Sequence, residues 1–341
     1  MSGPTFMEIV ISGKKLYNDG LMVSAVLEEE VDTAAELHVQ LVSDSEGSAL
    51  GGGLKFGTSV SVQLAAEGST QRTVSMKVVE IEDGWDPDMG YYCGFRALDD
   101  LVKLKHKVQT KLWKVPPKSI VSAIAGEAGF GSAIQGVDGG QAETVQNNQS
   151  NAEMLRRIAR DGGYKMTLDS GKLRFGIKLD SAKVSLTPDD RVYRVAIRRN
   201  ITDIPSKVKV FGWDWKKQKK VVKGEASGGQ MGKTSGGKSG PDLAKKVYGE
   251  ILWPVEAEKV MTDGDAKALA RGLLQGRADQ LVSGEVECMG LPGARPGKLL
   301  ELKKFGNSSG TYRIARTSHR WDAASGYVTS IGVYSDSTTR G

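Results

Sequence analysis

Cysteine, histidine and aromatic side chains are all scarce in this sequence. Among 341 residues there are two cysteines and three histidines, and Phe, Trp and Tyr together make up 6%. Cys93 and Cys288 cannot build a disulfide framework and neither belongs to a CxxC pair, so redox and structural-zinc chemistry start without support. His38, His106 and His319 stand outside metal-ligand spacing of one another and of either cysteine. His319, in a strand with Arg316 and Trp321, reads as a structural hydrogen-bonding residue. Long apolar runs are missing too. The stretch Ile120–Ala125 is far too short to cross a bilayer, and Met1–Lys15 lacks the basic segment and apolar core of a secretory signal. The expectation is a chain that stays in the cytosol that made it and inserts in no membrane. Serines are plentiful, but no GxSxG elbow occurs and no Ser-His-acid order stands out.

Glycine is what the chain has in excess: 43 residues, roughly one in eight against a usual share of about 7%. Most stand singly between short apolar/polar alternations, where a reversing chain needs positive φ at little steric cost. That is the composition of a mainly β protein. The formal net charge of +6 is a modest excess that does not by itself require nucleic acid.

Period-two alternation is clear in the first hundred residues. Val60, Val62 and Leu64 alternate with polar neighbours, as do Val74, Met76 and Val78, then Tyr91, Cys93, Phe95 and Ala97. Turn chemistry separates them at Gly51–Gly53, Glu67-Gly68-Ser69 and Asp83-Gly84. Residues 1–107 are expected to form a first small β-barrel. The period then changes. After Pro116-Pro117, Ser119 can cap a helix carrying Ile120, Val121 and Ile124 that ends near Gly126 or Gly129. Ser150 and Glu153 form a capping box ahead of Met154, Leu155 and Ile158, and Gly162-Gly163 supplies a left-handed stop. Tyr164–Leu168 and Lys172–Ile177 read as a hairpin, so residues 108–185 are expected to be a small α/β domain.

Strands return at Val192–Ile197 and Lys207–Trp213. The Gly/Ser/Lys tract Gly224–Gly240 predicts a mobile loop, and a helix follows Thr262 with Ala266, Leu269, Leu273 and Leu274 on one stripe. The last fifty residues repeat the logic of residues 57–98. Gly57 and Gly297 each open a strand, Thr73–Asp83 and Thr311–Asp322 each end in acid, and Gly90-Tyr91 and Gly326-Tyr327 each begin a third strand. The shared order favours two related barrels. The second barrel is expected to be split, residues 186–215 with 290–341, around an insertion at 216–289.

The sharpest motif match is Gly232–Ser239, a literal GxxxxGK[ST]. A phosphate loop of that spacing follows a buried strand and opens into a helix, whereas this one lies in the Gly/Ser/Lys tract and is followed at once by Gly240-Pro241. A nucleotide cofactor is not expected. The acid clusters Glu28–Glu30, Asp99-Asp100 and Asp189-Asp190 read as solvated turns at loop edges. The lysine runs Lys103–Lys107 and Lys216–Lys220, the second beside Trp213 and Trp215, read as solvated faces and not as sequence-specific nucleic-acid sites.

A family resemblance emerges from the ordered set. Asn147–Ala159 running through Ser150, Glu153 and Leu155 to Gly163-Tyr164, and then Gly171-Lys172-Leu173, resembles the helix and hairpin of phage late control D proteins, the baseplate hubs of contractile tails. Lys207–Asp214 is similar to that family's strand ending in Gly212-Trp213-Asp214. The closing region is similar as well: Ala294-Arg295-Pro296-Gly297, then Gly310, Tyr312, His319, and Gly326-Tyr327. The resemblance covers about residues 110–335; the first hundred residues match in strand layout alone.

That resemblance implies a structural homotrimer with no enzymatic activity, cofactor or metal of its own. Two related barrels per chain would give six in a pseudo-sixfold ring, joining a sixfold tail tube to a trimeric spike. The implied partners are the spike protein, the tail tube protein, baseplate wedge proteins and the tape-measure protein, in a virion or tail-like particle assembled in the bacterial cytoplasm. Type VI secretion relatives carry the spike on the same chain; here a separate spike is expected. The rival readings are a hub-associated cell-wall hydrolase and an all-β receptor-binding tail protein.

Overall fold

The computed structural model describes residues 5–16, 22–42, 54–66, 69–87, 90–137, 143–213, 221–230, 233–257, 260 and 262–340. The turns expected at Gly51–Gly53 and Glu67-Gly68, together with Asp214, Trp215 and Lys216–Lys220, lie outside them.

The first half is β1 (Thr5–Ile11), β2 (Lys14–Lys15), β3 (Met22–Glu30), β4 (Glu36–Val42), β5 (Ser59–Ala66), β6 (Ser69–Asp86) and β7 (Gly90–Leu98). These strands lie in the order β3-β4-β7-β6-β5-β1-β2, every neighbour antiparallel. Their alternation puts Val60, Val62, Leu64, Met76, Val78 and Phe95 in one core with Leu27, Leu37 and Leu41. An α/β unit follows: α1 (Lys103–His106), β8 (Val108–Trp113), α2 (Pro117–Glu127), β9 (Gly131–Gln135), β10 (Thr144–Ser150), α3 (Asn151–Gly162), and the hairpin β11 (Lys165–Asp169) and β12 (Lys172–Gly176). Its core gathers Ile120, Ile124, Leu155, Tyr164 and Phe175. Helix α2 begins at Pro117, two residues before the expected cap at Ser119, because proline suits the first turn, where its missing N–H has no helical partner anyway. At α3 the capping box forms as expected: the Ser150 hydroxyl accepts from the Glu153 N–H, and Glu153 accepts from Ser150 N–H at 2.6 Å.

The second half comprises β13 (Lys183–Leu186), β14 (Val192–Arg199), β15 (Lys207–Trp213), β16 (Val221–Ser227), β17 (Lys238–Ser239), α4 (Gly240–Tyr248), β18 (Leu252–Glu256), α5 (Asp263–Ala278), β19 (Val282–Met289), β20 (Leu299–Leu302), β21 (Gly310–Asp322), β22 (Gly326–Ser335) and β23 (Ser337–Thr338). Six of these strands lie in the order β14-β19-β22-β21-β20-β13. With β3, β4, β7, β6, β5 and β1 set against them in turn, spatial order and chain order both coincide. The agreement reaches single residues. Val79 bulges from β6 where Ala315 bulges from β21, and Val23 bulges from β3 where Tyr193 bulges from β14. The N–H of Gly57 donates to the Val78 carbonyl at 2.8 Å, and the N–H of Gly297 to Ile314 at 2.9 Å. Both glycines have positive φ, 79° and 88°. Trp85-Asp86 and Gly90-Tyr91 flank one hairpin as Trp321-Asp322 and Gly326-Tyr327 flank the other. One orientation differs: β1 is antiparallel to β5, and β13 is parallel to β20.

Two assignments from sequence need correction. Strand β15, expected in the second barrel, instead forms a separate sheet, β16-β15-β18, backed by α5. Strand β19, inside the expected insertion, instead holds the β4 place between β14 and β22. Alternation shows that a segment is a strand and not which neighbour it pairs with. The loop expected through Gly224–Gly240 is also corrected. Gly224–Ser227 belongs to β16 and pairs with β15, and α4 begins at Gly240 with Ser239 as its cap. Gly224 is required there, since a Cβ would run into the backbone of Ala266 and Lys267 on α5.

The halves are joined by β3 and β21, antiparallel from Glu30 opposite Arg316 to Ser24 opposite Asp322. The α/β unit docks on the second half through glycine: a Cβ on Gly272 of α5 would collide with the Asp161 carbonyl at the end of α3. We expect Gly272→Ala to destabilise the chain by about 1–3 kcal/mol and Ser150→Ala by about 1 kcal/mol. Urea-unfolding midpoints check both; unchanged midpoints would contradict the packing described.

Candidate functional site

A buried group of charged and polar side chains sits under the β3–β21 junction. Glu29 lies opposite Thr317. Its carboxylate takes both guanidinium nitrogens of Arg72 from β6, Nη1 to Oε2 at 2.7 Å and Nη2 to Oε1, and Thr317 donates at 3.4 Å. The acid reading of Glu28–Glu30 as a solvated turn is therefore corrected: all three are in β3, and Glu29 is buried. Burial works to raise the Glu29 pKa, but the Arg72 charge and hydrogen bonds outweigh it, so the carboxyl sits below its ordinary value.

His319 is fully buried beside this pair, 3.9 Å from Glu29. Its Nε2 faces the Ala294 carbonyl at 3.2 Å, and its Nδ1 faces the Tyr327 hydroxyl at 2.8 Å and Thr329 at 3.1 Å. A carbonyl can only accept, so Nε2 carries the proton and Nδ1 accepts from a hydroxyl. Burial pushes the imidazole down to about 4, against the pull of Glu29. Both ring nitrogens of His319 are thus engaged in buried hydrogen bonds.

Arg295 extends the network to the α/β unit, pairing with Asp169 and with Asp180 at 2.7 Å, while Arg174 holds Asp169 at 2.9 Å. Thus Pro296, Gly297, His319 and Tyr327 converge on the junction. The other motif residues do not join them. Ser150, Glu153, Leu155, Gly163 and Tyr164 build α3 and its ends, with Leu155 and Tyr164 in the core of that unit. Gly212 and Trp213 end β15, and Asp214 lies outside the described residues. Gly310 starts β21, where the Tyr312 hydroxyl donates to Ser308 at 2.9 Å. The ionic partners Arg72 and Glu29 escape sequence reading because they are far apart in the chain and meet only through sheet pairing.

The cluster has the residue types of an acid-base site, but no room for a substrate. The cavity between Glu29, Arg72, Asp99, Asp169 and Arg295 measures about 20 Å³, enough for roughly one water. No group of three His, Cys, Asp or Glu residues able to hold a metal occurs among the described residues. Burial raises the thiols of Cys93 and Cys288, to about 11 and about 12, so neither is a ready nucleophile.

The GxxxxGK[ST] segment is committed to structure. The N–H groups of Thr234 and Ser235 already donate to Asp336 and to the Ser337 hydroxyl, at 2.8 and 3.0 Å. Lys238-Ser239 pairs with Ser337-Thr338, and a Cβ on Gly237 would strike the Thr338 carbonyl. The motif does open into a helix, contrary to the reading of Gly240-Pro241, because proline is tolerated in a first turn. The amides of Thr234 and Ser235 are nevertheless spent on the Asp336 and Ser337 side chains, and Asp336 is buried. The lysine run at Lys103–Lys107 is engaged too: Lys107 pairs with Glu127 at 2.7 Å, and Lys111 beyond it lies 3.6 Å over the Trp113 ring.

With this geometry in hand, the likeness to known proteins is structural. No protein-family model matches the sequence, and no curated protein matches it. A 43 kDa tail protein of prophage MuSo2 from Shewanella oneidensis is 14% identical, with a TM-score of 0.69, covering 97% of this chain and 98% of its own. The tail protein from Neisseria meningitidis MC58 is 11% identical, with a TM-score of 0.65 and 97% of each chain covered. An E. coli component of the type VI secretion system, itself described as structurally similar to the T4 bacteriophage tail proteins gp27 and gp5, is 9% identical with a TM-score of 0.60. It covers 98% of this chain and 78% of its own. The chain has the fold shared by these tail and secretion proteins.

The buried imidazole makes a pH prediction. Unfolded chain takes up a proton at His319 near pH 6.5 and folded chain only near 4, so stability falls on acidification through that window by up to about 3 kcal/mol. Asp99, which burial raises to about 7, acts in the opposite sense, its contribution fading as pH rises. The comparison is therefore between urea midpoints of the natural chain and His319→Gln at pH 4.5 and 7. The substitution should flatten the acid loss, and an unchanged pH slope would contradict the assignment.

Proposed function

We propose that this chain is the structural baseplate hub of a contractile phage tail or tail-like injection particle, of the late control D type. Three copies form a ring of six equivalent half-sheets, each closing as a small barrel, and adapt the sixfold tail tube to a trimeric spike. The observation that carries this reading is the internal duplication, which matches in strand order, bulges and glycine hydrogen bonds. A subunit with two equivalent modules turns a threefold ring into an approximately sixfold surface. The fold shared with phage tail and type VI secretion proteins supports it, as does the closed and self-neutralised state of the one acid-histidine cluster described above.

On this reading the chain has no enzymatic activity. It transmits the force of contraction through packed interfaces, and its partners are the separate spike, the tube, the wedge proteins and the tape-measure protein. Neither sequence-specific nucleic acid nor membrane insertion is involved, and its place is the baseplate of the particle. The family-motif residues act structurally, Arg295-Pro296-Gly297, His319 and Tyr327 at the junction and Ser150 with Glu153 at the start of α3. Light scattering on the full chain, alone and with its spike, tests the proposal. A mass of three copies is expected, and a monomeric mass under both conditions would overturn it.

A further inference from the structure

Among the described residues, two of the strand edges without a partner are counterparts of the two edges already joined inside the chain. Strand β14 ends the main sheet, with β19 on one side and no strand on the other among the described residues. It is the equivalent of β3. Strand β5 leaves β6 at Lys77, as β20 leaves β21 at Arg313. Beyond that point β21 is taken up by β3. Beyond Lys77, the stretch Glu80–Asp86 of β6 has β7 on one side and no strand on the other among the described residues. Each chain thus presents both sides of its own internal junction a second time, unjoined.

We propose that β14 of one copy pairs antiparallel with Glu80–Asp86 of the next copy, in the register of the internal β3–β21 junction. Transferring that register through the equivalent bulges sets Arg194 opposite Asp86, Val195 opposite Trp85, Ala196 opposite Gly84, and Arg198 opposite Glu82. The chemistry of the two edges fits. Strand β14 carries Arg194, Arg198 and Arg199 and no acid, whereas the β6 segment carries Glu80, Glu82, Asp83 and Asp86 and no base. Opposite charges facing across a strand pair are each stabilising, and like edges of two copies would repel. Arg194 and Arg198 are exposed and make no ion pair among the described residues.

The other face of the same pairing is mainly apolar, with Arg199 opposite Ile81 and Asp83 opposite Ile197 as its charged members. Val195 and Ile197 pack on the core of the second half and Ile81 on that of the first, so joining the edges makes the two cores continuous between copies. Trp85 gives the clearest sign. Its counterpart Trp321 is partly buried at the internal junction and packs against the first core, while Trp85 is 63% exposed. The second junction would cover Trp85 as the first covers Trp321. Pairing a head with a tail is heterologous, and it closes a ring when the rotation per copy divides a full turn.

The inference rests on the hub reading only for the number of copies. Its test is cysteine crosslinking in the full chain carrying Glu82→Cys and Arg198→Cys together. Directly opposed strand residues are within disulfide reach and diagonal ones are not, so Glu82→Cys with Ala196→Cys is the off-register control. Oxidation should convert the first variant into covalent multimers under denaturing conditions and leave the control and both single variants monomeric. Arg194→Glu with Arg198→Glu should weaken self-association tenfold or more, and adding Glu82→Lys with Asp86→Lys should recover much of it. An assembled mass by light scattering without the expected crosslink, or with equal crosslinking in the control, would overturn this register and leave the hub reading standing. A chain monomeric at every concentration, alone and with its spike, would overturn both.

Discussion

Seven directly opposed positions between β3 and β21 hold the two halves of the molecule in one sheet, and the buried polar side chains of Glu29, Thr317, His319 and Thr329 are organised around them. Glu29 is charged in the interior because Arg72 reaches it from β6 with two hydrogen bonds. Removing one partner of such a pair leaves an uncompensated buried charge, which is far more costly than the net worth of the pair itself. His319 is neutral beside it, with both ring nitrogens satisfied, and the Glu29 and Arg72 charges cancel each other. Arg295 then ties the α/β unit to the same place. The junction fixes the angle between the halves, and with it the angle that any further copy joined in the same way would adopt.

That arrangement explains why the residues of catalytic character in this cluster have no cleft between them. Acid, base and histidine are side by side, but each is paired and the space between them holds at most a water. Satisfied, close-packed contacts of this kind remove the space and the free lone pairs that a substrate bound at this cluster would need. The phosphate-loop pattern is a parallel case, with the Thr234 and Ser235 amides consumed by Asp336 and Ser337. A motif is chemistry only when its donors are unspent.

Much of the local structure was legible in the sequence. Period-two runs located the strands around Val62, Met76 and Phe95, the Ser150 and Glu153 spacing fixed the start of α3, and the paired Gly-Tyr steps at Gly90 and Gly326 pointed to the duplication. Pairing was not legible. Strand β15 has the alternation of a barrel strand yet builds its own sheet, because partner choice depends on long-range packing against α5. Strand β19 was hidden behind a helix, and its place became plain only from the strands on either side. Glu29 looked like one of three solvated acids; nothing local shows that Arg72 covers it. Helix α4 had a readable signal, Ser239 followed three residues later by Asp242 with Pro241 in the first turn, masked by the glycine-rich stretch before it.

The central claim is that the halves are equivalent units in a ring, with the β3–β21 junction repeated between copies. A cryo-electron microscopy map of the assembled hub, resolved well enough to trace strands, tests it most directly. Successive half-sheets related by rotations of about 60° around a threefold axis are predicted. Half-sheets related by markedly unequal rotations, or built into the map with different strand orders, would contradict the account.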